Sequence, residues 1–340
     1  MSGATLTIGD GTATTFNQSA GAVTLTGTLT INGGSTFNFS GGSVTSPATK
    51  NSGTFLQSGG AGSLGAIDNG PSGSGAILAS GGTLVADHIR QGTLAISSAG
   101  SVSINTNGGN SGMSRLDSLS IGPNASLDLA DNDLIVGNST SKSAIEAYVA
   151  TARHNGAWDT TGGITSTAAK NRSGGITGLG VMSGAEYASI TGSTTFDGQV
   201  VASGDTLVKY TYNGDANFSG TITFDDYVRL DIGSSQHYTG WTNGDFNYSG
   251  SVNFDDYVLI DTANNQQSGT LARAVDWISG DDRSPANLDD PALRMVADHF
   301  DRFGAEYGAA FLAAVPEPTV FGVLLGFGVA FSRRRRRSSV

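Results

Sequence analysis

Two loops, 30 residues apart, carry the residues whose types and spacing could do chemistry. Residues 213–231 align with 243–261 at 12 identical positions of 19, and both copies run Asn-Gly-Asp-x-Asn-x-Ser-Gly into Phe-Asp-Asp-Tyr-Val. Counted from Asp215, oxygen-bearing side chains fall at positions 1 (Asp215), 3 (Asn217), 5 (Ser219), 7 (Thr221), 9 (Thr223) and 12 (Asp226), with Gly220 at 6. The second copy sets Asp245, Asn247, Ser249, Ser251, Asn253 and Asp256 at the same places, with Gly250 at 6. Calcium suits this layout. It takes about six to eight oxygens, and a loop of this length wraps them round one ion only where position 6 permits a sharp turn. Position 7 offers its backbone carbonyl and position 9 reaches the ion through water. The apolar residues at 8, Ile222 and Val252, point inward, where two such loops can pair. Ordinary Asp/Asn/Gly turns are the alternative, but two copies in register before the same helix start favour metal loops. The sequence therefore predicts two Ca2+ ions and no other cofactor.

Catalytic patterns are sparse. The four histidines (88, 154, 237 and 299) show no metal-ligand spacing, and neither a G-x-S-x-G elbow nor a phosphate-cradling loop occurs. Up to residue 137 the chain offers Lys50, Arg90, Arg115, His88 and seven scattered Asp, with no Glu. Asp87-His88 is the one adjacent acid–histidine pair there, and a loop hydrogen bond accounts for it. Trp158 and Trp241 could stack on sugars, although isolated tryptophans more often pack. No catalytic residue is assigned.

The elements that must position the loops follow from composition. Gly is abundant (50 of 340 residues), charged residues make up 14%, and cysteine is absent, so disulfides and thiolate sites are excluded. The net charge is −11 even with five arginines at 333–337, and an acidic body disfavours nucleic acid. Residues 205–301 hold 16 Asp and no Glu, a preference for short carboxylates that suits turns and metal loops.

Residues 1–137 alternate apolar and polar in short bursts between Gly and Asn turns. Thr-Leu-x-Ile recurs at 5–8, 28–31 and 93–96, with a near copy at 118–121. Period-2 alternation of this kind means strands with one buried face. The fold class is thus mainly β, with a β-solenoid (β-helix-like) body, and a β-sandwich is the competing architecture. The irregular spacing leaves coil length open.

A capping and connecting segment (138–209) follows, with a capping-box pattern at Ser143 and Glu146 and an inward face of Ile145, Tyr148, Val149 and Ala152. Its helix is expected to cover the solenoid end. The paired loops occupy 210–265 and a helical segment 266–314. Within the latter, Asp290 as N-cap and Pro291 at the first turn predict a helix over 291–303. The chain closes with Val315-Pro316-Glu317-Pro318, an apolar stretch at 319–331 and the arginine run.

The loop pair resembles the dockerin type I module over about residues 210–265, with Asp rather than Glu at position 12 and a helix after each loop. The resemblance implies a small α-helical calcium module. Ser219 and Ser249 stand where Asp is commoner, removing one charge per site and placing affinity near ~10⁻⁴ M. Phe224-Asp225 and Phe254-Asp255 replace the small hydroxyl residues with which dockerins contact cohesin, which argues against cohesin as a partner.

Residues 315–337 resemble the PEP-CTERM sorting signal of bacterial exosortase substrates, with Pro316, Glu317 and Pro318 as the motif. That implies an exosortase-type sorting enzyme as partner, export, and membrane attachment through the apolar segment, a transmembrane helix. Its 13 residues are short against the ~20 that span a bilayer, and the arginines would stay on the cytoplasmic side. No signal peptide is visible at the start, so the true N-terminus is expected upstream.

Together these features resemble large secreted proteins of planctomycete-type bacteria. The expected role is an exported, surface-associated or matrix structural or binding protein, with an extracellular polysaccharide as a possible partner. The alternative is a secreted polysaccharide-degrading or carbohydrate-binding β-solenoid that carries a dockerin.

Overall fold

The computed structural model describes residues 2–69, 74–286 and 288–315. The Pro316-Glu317-Pro318 motif, the apolar stretch and the arginine run lie outside the described residues.

The N-terminal body is a parallel β-solenoid of about six turns, with three short strands per turn. Ala22–Leu25, Ser43–Thr45, Ala61–Ser63 and Thr83–Ala86 stack along one side. Thr28–Ile31, Ala48–Asn51 and Ala66–Asn69 form the second, and Thr36–Phe39, Thr54–Gln57 and Ala76–Ala79 the third. The second and third sides merge in two long strands, His88–Ile96 and Ser114–Ile121. Alternation decides the packing: Leu29 and Ile31, Phe37 and Phe39, and Val23 and Leu25 all point inward and are buried. Phe16, Phe37 and Phe55 stack coil on coil, with ring centroids 5.1 and 5.3 Å apart in edge-to-face contact. Where the inward residue is polar the ladder persists by hydrogen bonding. Asn51 Nδ2 donates to Gln91 Oε1 (3.3 Å) and Gln57 Nε2 to the Thr83 carbonyl (3.0 Å).

The Thr-Leu-x-Ile tetrads pair two by two, but on different sides. Leu6 and Ile8 oppose Leu29 and Ile31, whereas Leu94 and Ile96 oppose Leu119 and Ile121. Register steps run from 17 residues (Ala76 to Thr93) to 37 (Ser126 to Gly163), which is why no single period is visible in the sequence.

Among the described residues eight α-helices follow or interrupt the last coils: α1 (Lys142–Arg153), α2 (Thr167–Asn171), α3 (Gly184–Thr191), α4 (Phe224–Gln236), α5 (Phe254–Ser268), α6 (Leu271–Ser279), α7 (Pro291–Phe303) and α8 (Ala305–Ala314). α1 buries Ile145, Val149 and Ala152 in the solenoid core and packs on the strand Gly163–Thr165 of the last coil. Its N-cap is Ser141 rather than Ser143. The Ser141 side chain accepts from Ala144 N (3.2 Å), and Ser143 lies inside the first turn.

The solenoid edge at Leu134–Val136 is paired antiparallel by Thr206–Tyr212, which pairs in turn with Thr177–Ser183. An open parallel edge is thereby closed by strands of opposite direction. The second strand of this closure carries Gly180, where a Cβ would stand 2.6 Å from Phe218 and 2.7 Å from Trp241. The absent side chain is what lets the loop region seat directly on the solenoid end. α5 to α8 form a second apolar core with Ile278, Leu293, Val296, Tyr307 and Phe311. Among the described residues no helix is long and apolar enough to cross a membrane.

Candidate metal centres

The two loops share a set of internal hydrogen bonds at equivalent positions. In the first, Asp215 accepts from Ser219 N (2.9 Å) and Gly220 N (2.9 Å), and Asn217 Oδ1 also accepts from Ser219 N (2.9 Å). Asp226 reaches back across the loop to accept from Ala216 N (2.9 Å) and Thr223 N (2.8 Å). In the second, Asp245 accepts from Ser249 N (2.9 Å) and Gly250 N (3.1 Å), Asn247 from Ser249 N (2.8 Å), and Asp256 from Phe246 N (2.9 Å) and Asn253 N (3.0 Å). Gly220 and Gly250 sit at φ +85° and +83°, the left-handed backbone that position 6 requires.

Potential ligands converge on one side of each loop. The Ser219 hydroxyl lies 3.5 Å from Asp215 Oδ1 and donates to the Thr221 carbonyl (2.9 Å); Ser249 donates likewise to the Ser251 carbonyl (3.0 Å). Asp215, Asn217, Ser219, the Thr221 carbonyl and Asp226 are thus brought together, as are Asp245, Asn247, Ser249, the Ser251 carbonyl and Asp256. Thr223 and Asn253 border these sets: Thr223 Oγ1 donates to Asp226 Oδ2 (3.3 Å) and Asn253 Nδ2 to the Ser251 hydroxyl (3.4 Å). They are the N-caps of α4 and α5, and Asn253 Oδ1 accepts from Asp255 N (2.9 Å).

Each loop holds two buried carboxylates, and none of the four forms an ion pair with a basic side chain among the described residues. Burial therefore dominates their protonation, pushing Asp226 up to about 6 and Asp256 up to about 7; Asp215 and Asp245 also rise, again chiefly through burial. A pair of desolvated acids that lacks a counter-charge is a donor set suited to a dication. Among the described residues no three His, Asp or Glu side chains gather at one point. The remaining donors here are amide, hydroxyl and carbonyl oxygens, which calcium accepts and softer metals do not favour. The residues fit calcium.

The repeat extends past the loops for a reason the loop pattern does not contain. Tyr227 OH donates to Asp261 Oδ1 (2.7 Å), and Tyr257 OH donates to Asp231 Oδ1 (2.6 Å), so each copy's helix tyrosine bonds the other copy's aspartate. A Cβ on Gly214 would meet Ile260, and one on Gly244 would meet Leu230, the equivalent residue of the opposite copy. The two copies are therefore related by a local pseudo-two-fold.

At position 8 the loops do not bond each other. The Ile222 backbone is taken up by the Gln267 side chain of α5, with Ile222 N donating to Oε1 (2.9 Å) and Nε2 donating to the Ile222 carbonyl (3.1 Å).

The symmetry ends at the surface. Asp261 also accepts from Tyr307 (2.7 Å) and pairs with His299 Nδ1 (2.6 Å), so α7 and α8 cover α5. On α4 the corresponding side stays bare, with Phe224, Val228 and Ile232 exposed at 75%, 37% and 49%.

Two further features carry no motif. Asp133, at the last coil, accepts from Tyr210 N (2.8 Å) and Lys209 Nζ (3.1 Å) in a cleft of about 360 Å³ that Asp197 also lines. Burial pushes Asp133 up to about 8, and the neighbouring Asp197 adds to the shift against the pull of Lys209. His88 pairs with Asp68 of the preceding coil (3.2 Å), while Asp87 takes a hydrogen bond from Asn105 (2.7 Å). Trp241 is a packing residue whose Nε1 donates to the Asp215 carbonyl (2.7 Å).

The fold and the loops define a mainly β protein, a parallel solenoid closed by a helical, loop-bearing C-terminal half. No protein-family model matches the chain, and no similar curated protein or solved structure was found.

Proposed function

We propose that residues 210–265 form a calcium module that holds its helices folded against the solenoid end, in an exported, surface-associated structural or binding protein. The observation that carries this reading is the pair of loops with matching donor sets, each with two buried carboxylates lacking a basic partner. Calcium in this reading does no chemistry; it neutralises the acids and fixes each loop before its helix. Export and retention through an exosortase-type partner and the membrane rest on the Pro316-Glu317-Pro318 tail. Calorimetry of the full chain should give two calcium sites, with one lost in each of Asp215→Ala and Asp245→Ala. An absence of calcium heat at millimolar concentrations sinks the reading.

One observation favours the alternative of a polysaccharide-degrading enzyme: the raised Asp133 beside Asp197 could serve as a general acid. Turnover of an anionic or neutral polysaccharide that Asp133→Asn abolishes would establish it.

A further inference from the structure

A second cavity, of about 660 Å³, lies between the C-terminus of α1, the second loop and α5. Arg153, the last residue of α1, lines it and is only 7% exposed. Among the described residues its guanidinium makes no hydrogen bond and no ion pair. A buried arginine without a partner is costly, since guanidinium stays charged and its five donors want acceptors. The other basic group at the cavity, His154, is already paired with Asp159 (2.5 Å). Thr151, Asn155, Asn247 and Ser249 supply hydroxyl and amide groups to the wall, and Val258 and Leu259 an apolar face.

We propose that this cavity binds the carboxylate of an acidic sugar, with Arg153 forking onto the carboxylate and the amides and hydroxyls taking ring hydroxyls. Planar, two-pronged recognition of a carboxylate is what guanidinium does best. Hydroxyl and amide groups both donate and accept, which matches sugar hydroxyls better than a run of acidic side chains. The charge balance points the same way. Asp255 stands at the cavity, and Asp245 and Asp256 lie within the field of Arg153, so repulsion weighs more heavily against a phosphate dianion or an acidic peptide than against a single carboxylate. The volume holds one or two sugar rings. This site is separate from the calcium donors except for Asn247 and Ser249, which belong to both.

The test is calorimetry of the full chain with trigalacturonate, maltotriose and triglutamate, each in calcium and in EDTA. Trigalacturonate is expected to bind and maltotriose not to. Arg153→Met should weaken binding at least ~10-fold, because a charged hydrogen-bonding group is removed. The same variant should melt close to the wild-type temperature, since it removes no hydrogen bond and no ion pair, and Met keeps the apolar stem buried. Ala150→Phe, which narrows the cavity and keeps the arginine, should lose binding with its melting temperature unchanged. Equal affinity in wild type and either variant overturns the proposal. So does an absence of trigalacturonate heat in both conditions, or tighter binding of triglutamate. Sugar binding without calcium heat would sink the calcium reading alone.

Discussion

At the scale of single residues, the loop carboxylates are legible in sequence and their energetics are not. Spacing places Asp215, Asp226, Asp245 and Asp256 at the ends of their loops, but only the fold shows that they are buried without an ion pair to a basic side chain among the described residues. The consequence is a pH dependence with a definite sign. Without calcium, Asp226 and Asp256 keep protons in the folded chain up to about pH 6 and 7, above the value of 3.8 expected once unfolded. Apo stability therefore falls as pH rises from about 4 through 7. Calcium affinity runs the other way, because the ion must displace those protons. Titration at about pH 5.5 should show calcium binding roughly tenfold weaker than at about pH 7.5, with the second loop losing more than the first.

At the scale of elements, the identity of the copies beyond the loops carries information that the calcium pattern cannot explain. Tyr227 and Tyr257 stand four residues before Asp231 and Asp261, a spacing that reads as an ordinary helix face. The fold shows instead that each tyrosine bonds the opposite copy's aspartate, so the bonds tie α4 to α5. Asp261 is wholly buried, whereas the Asp231 side chain is 55% exposed. Tyr227→Phe should therefore cost about 1–2 kcal/mol, leaving a buried carboxylate one donor short, and Tyr257→Phe less than half of that. Denaturant unfolding of the two variants side by side measures the difference, and equal losses would contradict the assignment. The bare face of α4 was legible only as Phe224-Asp225 in the sequence. Its exposure arises because α6 to α8 have no counterpart that covers α4.

At the scale of the whole molecule, two apolar cores exist, one threaded through the coils and one among the helices. Tyr248 touches both, and its hydroxyl donates to the Leu179 carbonyl (2.8 Å). Two distinct cores need not unfold together. In EDTA, circular dichroism should resolve a helical transition at 222 nm below the melting of the strands. Calcium at about 100 times its dissociation constant should stabilise the helical step by about 2.7 kcal/mol per site and leave the strand step unmoved. A single transition under both conditions would show the halves to be one cooperative unit.

The sequence by itself determined the strand-rich body, because alternation and Gly turns are local properties that bury one face whatever the coil length. It also marked α7, whose Asp290 side chain accepts from Ala292 N (2.9 Å), because capping depends only on neighbours along the chain. Tertiary structure alone decided the solenoid over the sandwich, since both use the same alternation and differ only in which strands meet. It also decided the exchange between the loop copies, the raised Asp133 and the unpartnered Arg153. Each of these depends on groups far apart in sequence whose approach no local spacing encodes.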